Sequence, residues 1–135
     1  MKLLPFIVAL FLCGSSEDYV SSLRSSVGES YSDVTCSRLI TKARRHAPCS
    51  ARQFWDGCGG DLAIIQEVTS LHAVNKETLR AGDVLDFGGI HVAAYLGAGE
   101  FIDSVPERGC AKIDAVNPHD PWYTGKVRIL RWRNS

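Results

Sequence analysis

The chain has 135 residues, of which 45% are hydrophobic and 22% are charged. This composition is close to the average for globular proteins and predicts one folded domain with its own core rather than a disordered chain. Fifteen basic and fifteen acidic side chains give a formal net charge of zero. Because nucleic-acid binding requires an excess of cationic side chains to neutralise phosphates, this balance argues against a nucleic-acid-binding protein.

Residues 1–16 have the layout of a secretory signal peptide. Lys2 precedes the apolar run 3–12, and the small residues 13–16 follow that run. The run is too short to span a bilayer, which takes about 20 apolar residues in a helix. We therefore expect a signal peptide over 1–16 and a mature domain over 17–135 that is secreted, periplasmic or held at the cell envelope.

Two alternatives for this first segment stay open. Cys13 is a candidate for lipidation, which would anchor the mature chain to a membrane, although Leu12 is large where lipoprotein signals usually carry a small residue. The segment can also be read as a buried N-terminal helix of the fold.

Helical patterns come before strand patterns along the chain. Apolar residues at helical spacing predict helices over 17–26 and 38–46, with Asp33 and Thr35 as candidate caps for the second helix and Pro48 as its end. A helical turn is expected over 50–55. Periodicity does not distinguish a helix from a strand over 62–68.

Strand patterns begin near residue 79. Alternation of apolar and polar residues, interrupted by glycine turns, predicts strands over 83–87, 90–96, 100–104 and 126–132. Helices followed by an antiparallel meander predict the α+β fold class.

Four cysteines lie beyond Cys13, namely Cys36, Cys49, Cys58 and Cys110. An even number in an exported protein first suggests two disulfides. If one of the four is a free nucleophile, at most one pair can form, and the neighbours Cys49 and Cys58 are the favoured pair.

Three residues in a workable order point to nucleophilic catalysis. Cys36 lies at the predicted start of a helix, where the helix dipole favours a thiolate. His91 and Asp103 lie on strands that a glycine turn makes antiparallel neighbours, and a register that pairs them would let the carboxylate orient the imidazole. Each residue has an ordinary structural alternative: a buried apolar cysteine, a structural histidine, and an aspartate paired with Arg108.

Four longer segments make a more specific pattern. They are 28–31 (GESY), 35–40 (TCSRLI), 81–87 (AGDVLDF) and 91–103 (HVAAYLGAGEFID). Over about 19–132 the chain resembles the NlpC/P60 cysteine peptidases, whose nucleophile motif is Asp-Cys-Ser-Gly-Leu-Val at a helix start. The family's base motif, His-Val-Gly-Ile-Tyr-Leu-Gly-x-Gly-x-Phe-Ile-His, is similar to 91–103.

The chain departs from the family pattern at three positions. Thr35 replaces the aspartate before the nucleophile, Arg38 replaces a glycine, and Asp103 stands where the family usually has a third histidine. A carboxylate can also orient an imidazole, and it is expected to make His91 more basic and to favour a thiolate–imidazolium pair. The segment between Tyr31 and Cys36 is also short, which points to an abbreviated cleft edge.

The resemblance implies a papain-like fold, with N-terminal helices packed on an antiparallel sheet, and a catalytic domain over 17–135. It implies hydrolysis of amide bonds in peptidoglycan stem peptides, with Cys36 as nucleophile, His91 as base and Asp103 as the residue that orients it. The residues placed near the substrate or its oxyanion are Tyr31, Ser37 and Arg38. No cofactor is implied, and a monomer is expected.

Three alternatives were weighed against this function. The same fold can serve an interbacterial amidase toxin or a protein amide hydrolase. A disulfide-bonded, non-catalytic wall-binding module would instead hold Cys36 oxidised. A metal hydrolase is disfavoured and no metal is expected, because the available ligands lack the spacing of known zinc sites; they are His46, Cys49, Cys58, His72 and His119.

Overall fold

The computed structural model describes residues 15–113 and 121–134, and the side chains of 17–113 and 122–134. Within them the chain is an α+β protein with three helices and a six-stranded antiparallel sheet, which confirms the predicted fold class. The predicted signal peptide lies outside the described residues, except for the backbone of 15–16, where the first helix begins. In the described part of the chain, no helix is both long enough and apolar enough to cross a bilayer.

Along the described residues, the three helices precede all six strands. Helix α1 covers Ser15–Ser25, α2 covers Cys36–Arg44, and α3 covers Ala51–Trp55. Of the two candidate caps for α2, Thr35 takes the role, because its hydroxyl accepts a hydrogen bond from the backbone N–H of Arg38. The predicted end of α2 at residue 46 lies two residues too far along the chain. The helix ends at Arg44, where Arg45 caps it in a left-handed conformation with φ of 60°.

The sheet contains six strands in the order β1-β6-β2-β3-β4-β5, and every neighbouring pair is antiparallel. The segment left undecided between helix and strand is β1. The sequence analysis did not predict β5, which forms one edge of the sheet. The strand bounds are Leu62–Val68 for β1, Val84–Phe87 for β2, His91–Gly97 for β3, Glu100–Val105 for β4, Gly109–Ile113 for β5 and Val127–Trp132 for β6.

The other edge strand, β1, is irregular where it pairs with β6. Ile64 lies opposite Leu130 and Gln66 lies opposite Ile129, so Ile65 is an extra residue with no partner of its own. This is a β-bulge, which bends the strand and interrupts its ladder. Ile64 and Ile65 are both exposed.

The two faces of the sheet bury separate apolar clusters, because successive strand residues point to opposite sides. One cluster joins the sheet to the helices and includes Leu23, Leu39 and Phe54. The other cluster includes Phe87 and Tyr123 and lies on the opposite face. The helices therefore cover one face, as the sequence predicted.

Cys49 and Cys58 form the favoured disulfide, which ties the segment before α3 to the turn before β1. Cys36 and Cys110 are free thiols; Cys36 is half-buried and Cys110 is buried. The cysteine predicted to be a nucleophile is therefore reduced.

Backbone hydrogen bonds tie the turn before α2 to strand β5. The N–H of Gly28 donates to the carbonyl of Cys110 over 2.9 Å, and the N–H of Cys110 donates to the carbonyl of Glu29 over 2.9 Å. Gly109 makes this approach feasible: its φ is +68°, and a Cβ there would lie 2.5 Å from the Glu29 carbonyl oxygen. The sheet edge thus fixes the position of the segment that leads into α2.

Candidate active site

Cys36 is the first residue of α2, and two local features place it there. Thr35 caps the helix, so the chain turns from extended to helical backbone at the cysteine. One residue earlier, the carbonyl of Val34 accepts a hydrogen bond of 2.6 Å from the buried hydroxyl of Ser104 on β4. The helix start is therefore held against the strand that also carries Asp103.

His91 and Asp103 are in direct contact on neighbouring strands. The Nε2 atom of His91 lies 2.9 Å from Oδ2 of Asp103, and the two residues are 1% and 0% exposed. The predicted register, in which these residues pair directly, is wrong. Ala94 lies opposite Ile102, and this register places Asp103 opposite Ala93. His91 is then two residues further along the same face, a diagonal neighbour that a long side chain can reach.

Two further side chains hold the Asp103 carboxylate. Arg108 donates from Nη2 to Oδ1 over 2.6 Å, and the hydroxyl of Tyr123 donates to Oδ2, the same atom that faces His91. Burial alone would raise the pKa of Asp103, but the hydrogen bonds from His91, Tyr123 and Arg108 outweigh it and hold that pKa below its usual range. Asp103 is therefore an anion in the folded protein. Its pairing with Arg108, weighed earlier as an alternative to a catalytic role, occurs together with the contact to His91.

Aromatic side chains surround the imidazole of His91. The ring of Phe87 stacks with it at a centroid distance of 6.2 Å, Trp122 lies at 5.2 Å and Tyr123 at 5.6 Å. These rings exclude water from the His91–Asp103 contact, which strengthens a charged hydrogen bond. The half-buried thiol of Cys36 is more accessible to solvent than His91 and Asp103, which are both buried.

The electrostatics of His91 join the three residues into one unit. Burial alone would lower its pKa, but hydrogen bonds with Asp103 and with Cys36 outweigh burial and raise the pKa to about 9. The direction agrees with the expectation that a carboxylate partner makes this imidazole more basic. At neutral pH His91 is thus an imidazolium between a carboxylate and a thiol. Nε2 faces the carboxylate, so Nδ1 is the nitrogen left for the sulfur.

No family model, curated protein or solved structure matches this chain.

The residues predicted to contact the substrate lie around the start of α2. Tyr31 is half-buried in the turn before the helix, Ser37 is half-buried and Arg38 is exposed. The amide of Arg38 is used by the Thr35 cap, and the amide of Leu39 donates to the Thr35 carbonyl. The N–H groups of Cys36 and Ser37 precede both of these bonds and are the helix-start donors nearest the thiol. The side-chain roles of Tyr31, Ser37 and Arg38 stay predictions.

Three residues of this site were not assigned a role by sequence reasoning. Tyr123 follows a proline-containing loop with no motif around it, and Arg108 was considered only as a competitor for Asp103. Asp86 reads in the sequence as one polar position of an alternating strand. Its contacts could be found only from the pairing of β2 with β3 and β6.

Asp86 is a buried carboxyl group on the strand beside His91. It is 0% exposed; Oδ1 accepts a 2.7 Å hydrogen bond from the N–H of Gly89, and Oδ2 is a buried oxygen without a hydrogen-bond partner. Burial raises its pKa to about 7, against the Gly89 hydrogen bond and the charges of His91, Arg128 and Arg52, which lower it. Asp86 therefore fixes the turn that leads into His91 and changes charge near neutral pH.

A second group of side chains has metal-ligand chemistry. The ligand atoms of His46, Cys49 and Cys58 all lie within 4.8 Å of one another. His72, a fourth residue weighed as a ligand, is exposed on a short 3-10 turn, and His119 lies outside the described residues. The sulfurs of the group are joined in the disulfide described above.

Proposed function

We propose that the protein is an exported cysteine peptidase of papain-like NlpC/P60 fold that hydrolyses amide bonds in bacterial peptidoglycan stem peptides. The bond type that the sequence resemblance favours is the one between D-γ-glutamate and a diamino acid. The observation that carries the proposal is the reduced Cys36 at a helix start, hydrogen-bonded to an imidazole that a buried carboxylate orients. This is the arrangement of a nucleophile, its base and an orienting group.

The first chemical step is acylation of Cys36. The thiolate attacks the carbonyl carbon of the substrate amide, and a C–S bond forms while the carbonyl oxygen takes up negative charge. The His91 imidazolium then gives its Nδ1 proton to the amide nitrogen, the C–N bond breaks and the amine leaves. A thioester on Cys36 and a neutral imidazole remain.

The second step is hydrolysis of that thioester. His91 removes a proton from water, the resulting hydroxide attacks the thioester carbonyl, and the C–S bond breaks to release the acyl product as a carboxylic acid. Asp103 keeps Nε2–H engaged throughout, so Nδ1 is the atom that carries the proton in both steps. Arg108 and Tyr123 keep Asp103 ionised and in place.

The backbone at the start of α2 is suited to stabilise the oxyanion. The N–H of Cys36 lies at the positive end of the helix dipole, and the N–H of Ser37 follows it. Donors of this kind, fixed before the reaction begins, are typically worth a factor of about 10²–10³ in rate. Tyr31, by its place in the motif, would add a hydroxyl donor near the same oxygen.

The substrate class follows from the resemblance and from the charge at the cleft edge. Stem peptides carry free carboxylates beside the scissile amide, and an exposed arginine can bind a carboxylate through two parallel hydrogen bonds. Arg38 is exposed two residues after the nucleophile and would make such a contact. The glycine usual at this position in the family could not make it.

The wall-binding alternative requires an oxidised Cys36. Cys36 is a free thiol, which supports an enzyme over a wall-binding module. An interbacterial amidase toxin or a protein amide hydrolase would use the same catalytic residues. Those two alternatives differ from the proposal in the substrate and not in the chemistry.

Digestion of purified peptidoglycan tests the proposal. The full chain, a Cys36→Ala variant and a Cys110→Ala variant are incubated with walls, and the released fragments are identified by mass spectrometry. We expect the wild type and Cys110→Ala to release peptides with a new amine on the diamino acid, and Cys36→Ala to release none. Cys110 is the matched control because it is the second free thiol among the described residues.

Two results would overturn the proposal in different ways. Release of peptides by Cys36→Ala at the wild-type rate would remove Cys36 as the nucleophile. A folded wild type with a reactive Cys36 that leaves walls of several chemotypes intact would refute the peptidoglycan substrate and favour a protein amide.

A further inference from the structure

A cluster of four side chains in the connection between α2 and β1 is not used by the proposed peptidase chemistry. His46 and Cys49 are separated by two residues, and Cys58 and Asp61 are separated by two residues. Two such pairs on either side of a loop are the spacing of many structural zinc sites. Among histidines and cysteines alone the second pair is incomplete, because its last member is an aspartate.

The fold brings the four side chains together. The ligand atoms of His46, Cys49 and Cys58 lie within 4.8 Å of one another, and Oδ2 of Asp61 lies 2.6 Å from Nε2 of His46. Zinc binds sulfur at about 2.3 Å and nitrogen or oxygen at about 2.0–2.2 Å, so the atoms of a tetrahedral ligand set lie roughly 3.3–3.8 Å apart. A short movement that separates the two sulfurs, and Nε2 of His46 from Oδ2 of Asp61, would complete that geometry.

The orientation of His46 is compatible with a metal ligand. Its Nδ1 lies 2.6 Å from the carbonyl oxygen of Ala47, which fixes the N–H on that nitrogen. Histidines that bind metals commonly donate their second N–H to a carbonyl in this way. Nε2 lies 2.6 Å from Oδ2 of Asp61, so in the disulfide form the imidazole donates a hydrogen bond to this carboxylate, and a metal ion would take the place of that proton. The ring of Trp132, at a centroid distance of 5.1 Å, keeps the imidazole in this orientation.

We propose that reduction of the Cys49–Cys58 disulfide converts this cluster into a zinc site with His46, Cys49, Cys58 and Asp61 as ligands. A phosphine reductant would take the sulfur–sulfur bond to two thiols, while the phosphine is oxidised to its oxide with oxygen from water. Zn²⁺ then displaces the two thiol protons and bonds to both sulfurs. The cystine and the metal site exclude each other, because they use the same two sulfur atoms.

The two states match two redox environments. In an oxidising compartment the disulfide joins Cys49 to Cys58. In a reducing compartment a bound metal ion would join the same two residues. The site does not depend on the proposed peptidase activity, because none of its ligands belongs to the Cys36–His91–Asp103 group. Its failure and the failure of the proposed function are therefore separate results.

Cobalt(II) titration of the reduced full chain tests the site. The parent protein carries Cys36→Ala, so that the active-site thiol cannot bind the probe. It is reduced with a phosphine, freed of reductant without air, and titrated with Co²⁺ and then with Zn²⁺. We expect one Co²⁺ per chain, with the visible bands of a tetrahedral site and near-ultraviolet sulfur-to-cobalt charge transfer, both lost when Zn²⁺ displaces the cobalt.

Variants identify the ligands. Replacing Cys49 and Cys58 together by serine is expected to abolish the charge-transfer band, and His46→Ala or Asp61→Ala to weaken Co²⁺ binding at least about tenfold. His72→Ala is the matched control, because His72 is exposed and lies outside the cluster, and its affinity should equal that of the parent.

Far-ultraviolet circular dichroism keeps the result decisive if reduction unfolds the chain. Restoration of the spectrum by Zn²⁺ supports the site, since binding energy is then folding energy. A reduced chain that takes up no cobalt, whether folded or not, overturns the proposal. A charge-transfer band that survives the double serine variant overturns it too, and an unchanged affinity in His46→Ala or Asp61→Ala overturns the ligand set.

Discussion

His91 and Asp103 meet as diagonal neighbours on adjacent strands, with Nε2 of the imidazole 2.9 Å from Oδ2 of the carboxylate. The carboxylate accepts three hydrogen bonds in all, from His91, Arg108 and Tyr123. Such a carboxylate cannot rotate away from the imidazole without breaking several contacts, so the ring is held with its other nitrogen free for the thiol.

Asp103→Asn is expected to lower kcat by about 10²–10⁴-fold, because an amide cannot stabilise the imidazolium and can hold the ring in the wrong tautomer. The pKa of His91, about 9 in the wild type, should fall, since its carboxylate partner is lost. Kinetics and NMR titration of His91 measure the two effects. Asp83→Asn is the matched control: Asp83 is also a buried aspartate paired with an arginine, Arg131, and it does not contact His91. Unchanged kcat in Asp103→Asn would refute an orienting role.

Alkylation should distinguish the two free thiols. Cys36 is half-buried and hydrogen-bonded to the His91 imidazolium, so it should react rapidly with iodoacetamide at neutral pH. Cys110 should react only on unfolding, since burial raises the pKa of its thiol. In His91→Ala the alkylation rate of Cys36 should fall at least about tenfold. Mass spectrometry of labelled peptides gives both rates, and equal labelling of the two cysteines in the native protein would contradict the assignment.

Asp86→Asn should change how stability depends on pH. Folding raises the pKa of Asp86 from 3.8 to about 7, so the protonated group contributes stability that is fully present below about pH 4 and lost as pH rises through about 7. Asparagine imitates the protonated carboxyl at every pH. The variant should therefore match the wild type near pH 4 and exceed it at pH 8 by an amount on the order of 4 kcal/mol.

Denaturant unfolding at pH 4, 6 and 8 measures this difference. The His91 contribution, which is lost as pH rises through about 9, is present in both proteins, and the charge interaction between His91 and Asp86 is part of the measured difference. Parallel stability curves for the wild type and Asp86→Asn would show that folding does not raise the pKa of the Asp86 carboxyl.

Gly109→Ala should loosen the segment that leads into Cys36. Alanine at φ of +68° is strained, and its Cβ would lie 2.5 Å from the Glu29 carbonyl oxygen. Gly99→Ala is the matched control, because its φ is +79° with no atom within 4 Å of the added Cβ. Backbone strain alone should cost about 1 kcal/mol at Gly99, and strain plus the clash should cost at least about 2 kcal/mol at Gly109. Equal losses of unfolding free energy in the two variants would show that the contact between residue 109 and the Glu29 carbonyl does not affect stability.

The sequence predicted the elements with clear periodicity and missed those that tertiary contacts create. The strands around His91 and Asp103 alternate regularly and end in glycine turns, and both were found. Strand β5 was missed because a five-residue segment carries little pattern of its own, and it is held by pairing with β4 and the Glu29 carbonyl. Helix α2 ends before Pro48 because Arg45 takes a left-handed conformation. Glycine and asparagine are the residues that usually indicate this conformation in a sequence, and neither stands at this position.

The contact between His91 and Asp103 was predicted from a register that differs from the observed one by two residues. The prediction of contact still held, because a two-residue shift leaves each side chain on its original face. Asp86 was missed for another reason. It lies opposite Arg128 of β6, more than forty residues later, and within the charge interaction of Arg52 in helix α3, and neither neighbour can be read from the local pattern.

The bulge at Ile65 also bears on how this protein behaves at high concentration. An edge strand that exposes Ile64 and Ile65 would, if straight, offer a ladder on which a strand from a second molecule could add. The unpaired residue breaks that ladder in its middle and twists the remainder, so the two isoleucines do not lie along a continuous template. Deleting Ile65 would restore regular pairing with β6 and, with it, the tendency of such edges to aggregate.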